Sequence, residues 1–224
     1  MFDDRDDGGF QVATELKNRE FRDPLVLAIP RGGVVTGAVL ARELGAELDV
    51  VLSRKLRAPD QAELAIGAIS EDGQVYLDCQ TLDSIFVPDD YLRGERAYQL
   101  ADIARRKKLF RAVRPRAPIA GRSVILTDDG IATGSTMIAS LQTVRAQHPH
   151  EIIVAVPVAS PGRLDDIRRL CDETVCLLAP TNFWAIGQFY RDFSQVDDEQ
   201  AVELLRLAWR ETTMEKQPAS PATH

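Results

Sequence analysis

The chain has 224 residues, of which 45% are hydrophobic, 27% charged and 6% aromatic. That balance excludes a collagen-like or largely disordered chain and leaves room for one domain with an elaboration, whose core needs no disulfide or structural metal. The formal net charge of −7, with a pI near 5.1, sets up a field that repels polyanions, so nucleic acid is not expected as a partner, although a local basic patch can still hold phosphate. Cys79, Cys171 and Cys176 are an odd set, and the five-residue step between the last two has no second pair. They read as small buried hydrophobes rather than as a disulfide framework or zinc site. His148, His150 and His224 leave little for histidine-activated nucleophiles. The first ten residues are acidic without an apolar run, and no stretch approaches the ~20 apolar residues of a membrane helix. The expectation is a cytoplasmic protein with no membrane contact.

In chain order, residues 1–20 become helical through Val12, Leu16 and Arg19, and Leu25–Ile29 is a short continuous apolar strand covered on both faces. That strand stops at Pro30-Arg31-Gly32-Gly33. A helix over Val34–Leu44 follows, with Gly45 as its stop, and then a strand over Leu48–Ser53. This βαβ unit implies a parallel sheet. Residues 54–65 are polar, contain Pro59 and read as a mobile loop leaving the second strand. Ile66–Ser70 and Gln74–Leu77 flank Glu71-Asp72-Gly73, a hairpin signal. Residues 89–111 form a charged, arginine-rich helical insertion. Strands are expected at Val124–Thr127, Ile152–Val158 and Thr174–Leu178, with helices from the 133–136 turn to about Gln147 and over Gly162–Leu170. Residues 179–196 are aromatic and irregular, Val202–Trp209 is an amphipathic helix, and 212–224 reads as a disordered tail. The whole is one α/β domain over residues 1–211.

The sharpest feature is VILTDDGIATGSTM, residues 124–137. A buried strand runs into two carboxylates and then into a Gly/Ser/Thr-rich turn that opens a helix. Ala132–Thr136 can present consecutive backbone N–H groups to an anion, with the helix dipole behind them. Gly134 removes a Cβ that would block close approach, and Thr133, Ser135 and Thr136 add hydroxyls. Asp128 and Asp129 can accept hydrogen bonds from vicinal hydroxyls. One segment thus suits a phosphate monoester at one end and a sugar diol at the other. An Asp-Asp-Gly turn with a Thr/Ser helix cap explains one or two of these residues but not the run. The pattern is neither GxxxxGK[ST] nor GxGxxG.

The segment resembles the PRPP-binding signature of type I phosphoribosyltransferases, PRPP being 5-phosphoribosyl-1-pyrophosphate. Most of the chain, from about Phe2 to Leu205, resembles a bacterial subgroup of predicted phosphoribosyltransferases that carry PRGG, RKL…E.AIGA and DDG.ATG.TM in this order. The resemblance implies an open, mainly parallel five-stranded sheet with flanking helices, plus a flexible loop or hairpin, the helical insertion and a small hood at about 179–196. By analogy the strand order is 3-2-1-4-5 and the protein a homodimer. Carried over by position, Asp128 and Asp129 hold the ribose hydroxyls and Ala132, Thr133, Gly134, Ser135 and Thr136 bind the 5′-phosphate. Arg31, Gly32 and Gly33 match the pyrophosphate loop, with Arg54 and Lys55 facing the pyrophosphate. Glu63, in the loop that resembles the family's flexible catalytic loop, is a candidate acid/base group. Phe183 and Trp184, in the hood, are candidates to stack on a base. Arg105, Arg106 and Arg111 read as a solvated basic face, with a contact to the neighbouring subunit's phosphate as the alternative.

The resemblance implies transfer of ribose 5-phosphate from PRPP to a nitrogen acceptor such as a nucleobase, a reaction of nucleotide metabolism. It also implies Mg²⁺ held mainly through the substrate, with no dedicated protein ligands. The 6-oxopurine enzymes carry an aspartate where this chain has Ala132, which matches the adenine-type pattern instead. The acceptor therefore stays open. Two alternatives on the same fold are a PRPP- or nucleotide-binding regulator and a hydrolase that uses water as acceptor.

Overall fold

The computed structural model describes residues 1–59 and 61–215, without the side chains of residues 62, 63, 79, 80, 83, 214 and 215. Five strands, β1 (Leu25–Ala28), β2 (Glu47–Val50), β6 (Ser123–Thr127), β7 (Glu151–Val158) and β8 (Glu173–Leu178), make one parallel sheet in the order β2-β1-β6-β7-β8. Counted within the sheet this is 2-1-3-4-5, not the expected 3-2-1-4-5, because the segment after β2 leaves the sheet instead of adding to its edge. Successive strand residues point to opposite faces. Val26, Ala28, Ile125 and Ile153 pack on one side with Val12 and Leu16 of α1 (Arg5–Leu16) and Leu40 of α2 (Gly32–Leu44). Leu25, Leu27, Val124 and Leu126 pack on the other with Met137 and Leu141 of α5 (Ser135–Arg145) and Leu164 of α6 (Pro161–Arg168). Burial on both faces is why these strands read as unbroken apolar runs. Helix α2 stops at Gly45, whose φ of +61° lets the Ala46 N–H turn back to the Ala41 carbonyl at 2.8 Å.

Residues 54–58 and 61–65 of the expected loop are strand. They belong to β3 (Ser53–Ala58) and β4 (Gln61–Ser70), which with β5 (Val75–Leu77) form a separate antiparallel sheet in the order β3-β4-β5. The β4–β5 hairpin closes through Glu71-Asp72-Gly73, with Gly73 at φ +80°. The polar look of β3 misled because its cations find carboxylates on the inserted helix α4 (Asp89–Arg111). Arg57 makes two hydrogen bonds of 2.8 Å to the buried Glu95 carboxylate, and Tyr91 donates to the carbonyls of Arg57 and Ala58. Leu56 and Ala58 are buried on the opposite face. A short helix α3 (Cys79–Ser84) precedes α4.

The closing helix α7 runs over Asp198–Glu215, so residues 212–215 of the expected tail are helical; residues 216–224 lie outside the described residues. Among the described residues no helix is long and apolar enough to cross a membrane.

Candidate active site

Strands β1 and β6 are neighbours in register from Leu25↔Val124 to Ala28↔Thr127, so their carboxyl ends bring residues 29–33 beside residues 128–136. The contact is backbone-close. A Cβ on Gly33 would stand 2.8 Å from both the Cα and the Oδ1 of Asp128, and one on Gly32 would collide with Asp129 Oδ2. The paired glycines are therefore a steric requirement of the Asp-Asp turn, not only a way of ending a strand. This is the crevice beyond the carboxyl ends where open α/β sheets bind ligands.

The two carboxylates have different surroundings. Asp129 is 8% exposed, and its Oδ2 accepts a 2.7 Å hydrogen bond from Arg5 Nε. Arg5 also donates to the Ser194 carbonyl at 2.8 Å, and its guanidinium lies 3.8 Å over the Phe193 ring. Tyr190 donates to the Asp129 carbonyl at 2.6 Å, and burial together with the Asp129 charge pushes its phenol pKa up. Asp128 makes no ion pair among the described residues. Its Oδ1 accepts the Asp129 N–H at 2.9 Å, and loss of hydration followed by the neighbouring Asp129 charge holds its carboxyl well above the usual range.

Asp128 opens onto a cleft of about 150 Å³ shared with Gly130, Ala132, Thr133, Gly134 and Thr136, and Ile186 of the hood closes its far side. Gly134 caps α5 at φ +73°, a conformation that favours glycine. Ala132, Thr133 and Thr136 are exposed and Ser135 is half-buried, with the Thr133 and Ser135 hydroxyls 3.4 Å apart. The N–H groups at the start of α5 and a row of hydroxyls form a surface suited to a phosphate oxyanion.

The basic residues converge from three elements. Arg31 is the N-cap of α2, and the Pro30–Arg31 peptide is cis. Arg54 and Lys55 lie within β3 rather than at the end of β2, which stops at Val50. Arg54 pairs with Asp102 of α4 and lines a small cleft with Pro30, Arg106 and Thr136. Lys55 stands opposite Ala68 of β4. Glu63 falls on β4, and its side chain lies outside the described residues.

The arginines of α4 do not form one solvated face. Arg105 is exposed and pairs with Asp198, but Arg111 is half-buried between Asp49 and Glu71, and Arg106 turns toward the Pro30 carbonyl. In the hood, Phe183 packs against Phe189 with ring centroids 5.3 Å apart, and Trp184 is 85% exposed. The hood residues that line the crevice include Ile186, Phe193, Gln195 and Val196.

The phosphoribosyl transferase domain model matches residues 9–194. The chain belongs to the phosphoribosyl transferase family. Its fold agrees with that of the Thermus thermophilus protein TT1426, at a TM-score of 0.88 and 41% identity, covering 92% of this chain and 98% of that one. Two Mycobacterium tuberculosis proteins provisionally named phosphoribosyl transferases are each 39% identical over 211 residues, or 94% of this chain. The chain spans about half, 48%, of the length of those curated relatives.

Sequence patterning did not point to Arg5 or Ile186 in the site, placed Tyr190 and Phe193 in the hood without a contact to the crevice, and gave Arg106 to the solvent. Arg5 is 124 residues from its partner Asp129, so no local spacing links them. The only available signal was a lone arginine in an otherwise acidic N-terminal segment.

Proposed function

We propose that this protein takes PRPP as donor and transfers ribose 5-phosphate to a nitrogen acceptor, in keeping with nucleotide metabolism. The observation that supports it best is the contact of Gly33 with Asp128, which joins a diol-binding carboxylate, a phosphate-binding helix start and a glycine-rich turn in one crevice. In this reading the 132–136 turn holds the 5′-phosphate, the Asp128–Asp129 segment the ribose hydroxyls, and Arg31, Gly32 and Gly33 the pyrophosphate.

The bond between C1 of the sugar and a pyrophosphate oxygen breaks, the electron pair leaves with pyrophosphate, and the acceptor nitrogen bonds to C1 and gives up its proton. Positive charge develops on the sugar as the leaving group departs. Asp128, which is not held in an ion pair, is placed to stabilise that charge, and arginine donors stabilise the departing oxygens. Arg5 holds Asp129 in place from behind.

Asp128 and Asp129 are adjacent hard oxygen donors, of which only Asp129 holds a cation, Arg5, and that fits Mg²⁺. Among the described residues no group of three or more His, Cys, Asp or Glu side chains makes a cage, so the fit is to an ion carried mainly by substrate oxygens and water. Mg²⁺ would supply charge neutralisation on the pyrophosphate. Glu63 remains the candidate acid/base group, and a nucleobase the candidate acceptor. A homodimer in the cytoplasm belongs to the same proposal and is checked by sedimentation and by fractionation.

The deciding experiment incubates the protein with PRPP, Mg²⁺ and a panel of nucleobases and follows pyrophosphate. Release that depends on one base supports the transferase. Release without any base makes it a hydrolase, and saturable PRPP binding with no release makes it a regulator.

A further inference from the structure

The inserted helix α4 brings to the crevice a cation that the signature segments do not contain. Arg106 Nη1 donates to the Pro30 carbonyl at 3.3 Å, which fixes the guanidinium against the PRGG turn. From there Arg106 borders two clefts. One, of about 400 Å³, is shared with Arg5, Arg31, Gly32 and Phe193; the other is shared with Arg54 and Thr136. The residue therefore stands between the turn after β1 and the start of α5. Its Nε is shut off from water with no acceptor among the described residues. Burial, and then the charge of nearby Arg54, push its pKa below the ordinary guanidinium value. Of the carboxylates on this side, Asp102 pairs with Arg54, and Asp198 pairs with Arg105 through Oδ2 while its Oδ1 is buried without a partner. A second cation pressed against Arg54 is costly in the empty crevice and becomes favourable once a polyanion lies between them.

We infer that Arg106 binds the diphosphate group of the phosphoribosyl donor together with Arg31 and Arg54, so that the inserted helix completes the cradle of the leaving group. This rests on the proposed function and adds a binding residue to it. The planar fork of Arg106, with one nitrogen anchored on Pro30, leaves its other amino group to pair with phosphate oxygens. The insertion thereby acquires a role in the site: α4 positions Arg54 through Asp102 and supplies Arg106 four residues further on, one helical turn away.

The test is calorimetric titration of the whole chain with Mg²⁺-pyrophosphate and, separately, with ribose 5-phosphate. In Arg106→Gln the pyrophosphate affinity is expected to fall about tenfold or more, the loss usual for one charge-assisted hydrogen bond, while ribose 5-phosphate binds as before. Arg106→Lys, which keeps the charge but not the fork, is expected to lose less, and Arg105→Gln to change neither ligand. Undiminished pyrophosphate affinity in Arg106→Gln overturns the inference, and so does an equal loss of both ligands, which marks a general structural role. If the unaltered protein binds neither ligand, the proposed function falls along with it; if it binds both and only Arg106→Gln disappoints, that function stands and the role of Arg106 does not.

Discussion

Arg5 Nε lies 2.7 Å from Asp129 Oδ2, and this ion pair joins the first turn of the chain to the signature turn after β6. Both side chains are about nine-tenths buried, at 10% and 11% exposure. Because Arg5 also holds the Ser194 carbonyl and stacks on Phe193, it couples the carboxylate to the segment that leads out of the hood. Removing one member of a buried pair strands the other charge, at a cost of about 3–5 kcal/mol. Arg5→Gln is therefore expected to lower the thermal midpoint clearly and to weaken PRPP binding. Arg5→Lys restores the charge without the stacking and is expected to recover only part of the stability. Thermal unfolding with and without PRPP checks this, and a midpoint unchanged in Arg5→Gln would show that the pair contributes nothing.

Gly33→Ala tests the closeness of the two turns. The new methyl group has to displace Asp128 from 2.8 Å, and overpacking of this kind costs about 1–3 kcal/mol. The displaced atoms belong to a site residue, so affinity for PRPP is expected to drop more than stability does. An alanine variant with wild-type affinity and midpoint would mean that the turns separate freely.

Asp128→Asn separates stability from binding. The folded-state pKa of Asp128 is raised, so the folded protein holds a proton that the unfolded chain has released. The unfavourable contribution of this carboxylate is absent at pH values below its ordinary pKa. It grows as pH rises from that range toward the raised folded value and is constant beyond it. Asparagine keeps the oxygen that accepts the Asp129 N–H but carries no charge. The variant is expected to match the wild type in stability at pH 3, exceed it at neutral pH, and lose PRPP binding. Denaturant titrations at the two pH values read the first part and calorimetry the second; equal stability at both would show that Asp128 titrates normally.

Trp184 turns its ring to solvent at 85% exposure, so Trp184→Ala is expected to leave the midpoint within the small range typical of surface changes. If the acceptor base stacks there, its KM rises by roughly tenfold, the scale of one base–aromatic contact. Steady-state kinetics with the acceptor found by the base panel reads this, and an unchanged KM removes Trp184 from the base contact. Phe183, already packed on Phe189, offers no comparable open face.

The strands of the parallel sheet and the 128–136 turn were readable from residue order because their chemistry is local. Apolar runs report burial on both faces, and a carboxylate pair followed by small hydroxylated residues marks a candidate site within one stretch of chain. Sequence did not reveal β3, whose arginines look like solvated loop residues until Glu95 and Asp102 of α4 stand opposite them. Nor did it separate Asp128 from Asp129, which are equivalent in the chain and differ only because Arg5 reaches one of them.

What can be settled by neighbours a few residues apart was already present in the one-dimensional order: the βαβ unit, the glycine-rich turn and the hydroxyl-rich helix start. The charge states, the partner of each cation, and the place of the inserted helix against the crevice came from folding. Each depends on pairing groups from distant parts of the chain, across gaps of 48 residues for Arg54–Asp102 and 124 for Arg5–Asp129, and electrostatic pairing responds to distance in space, not along the backbone.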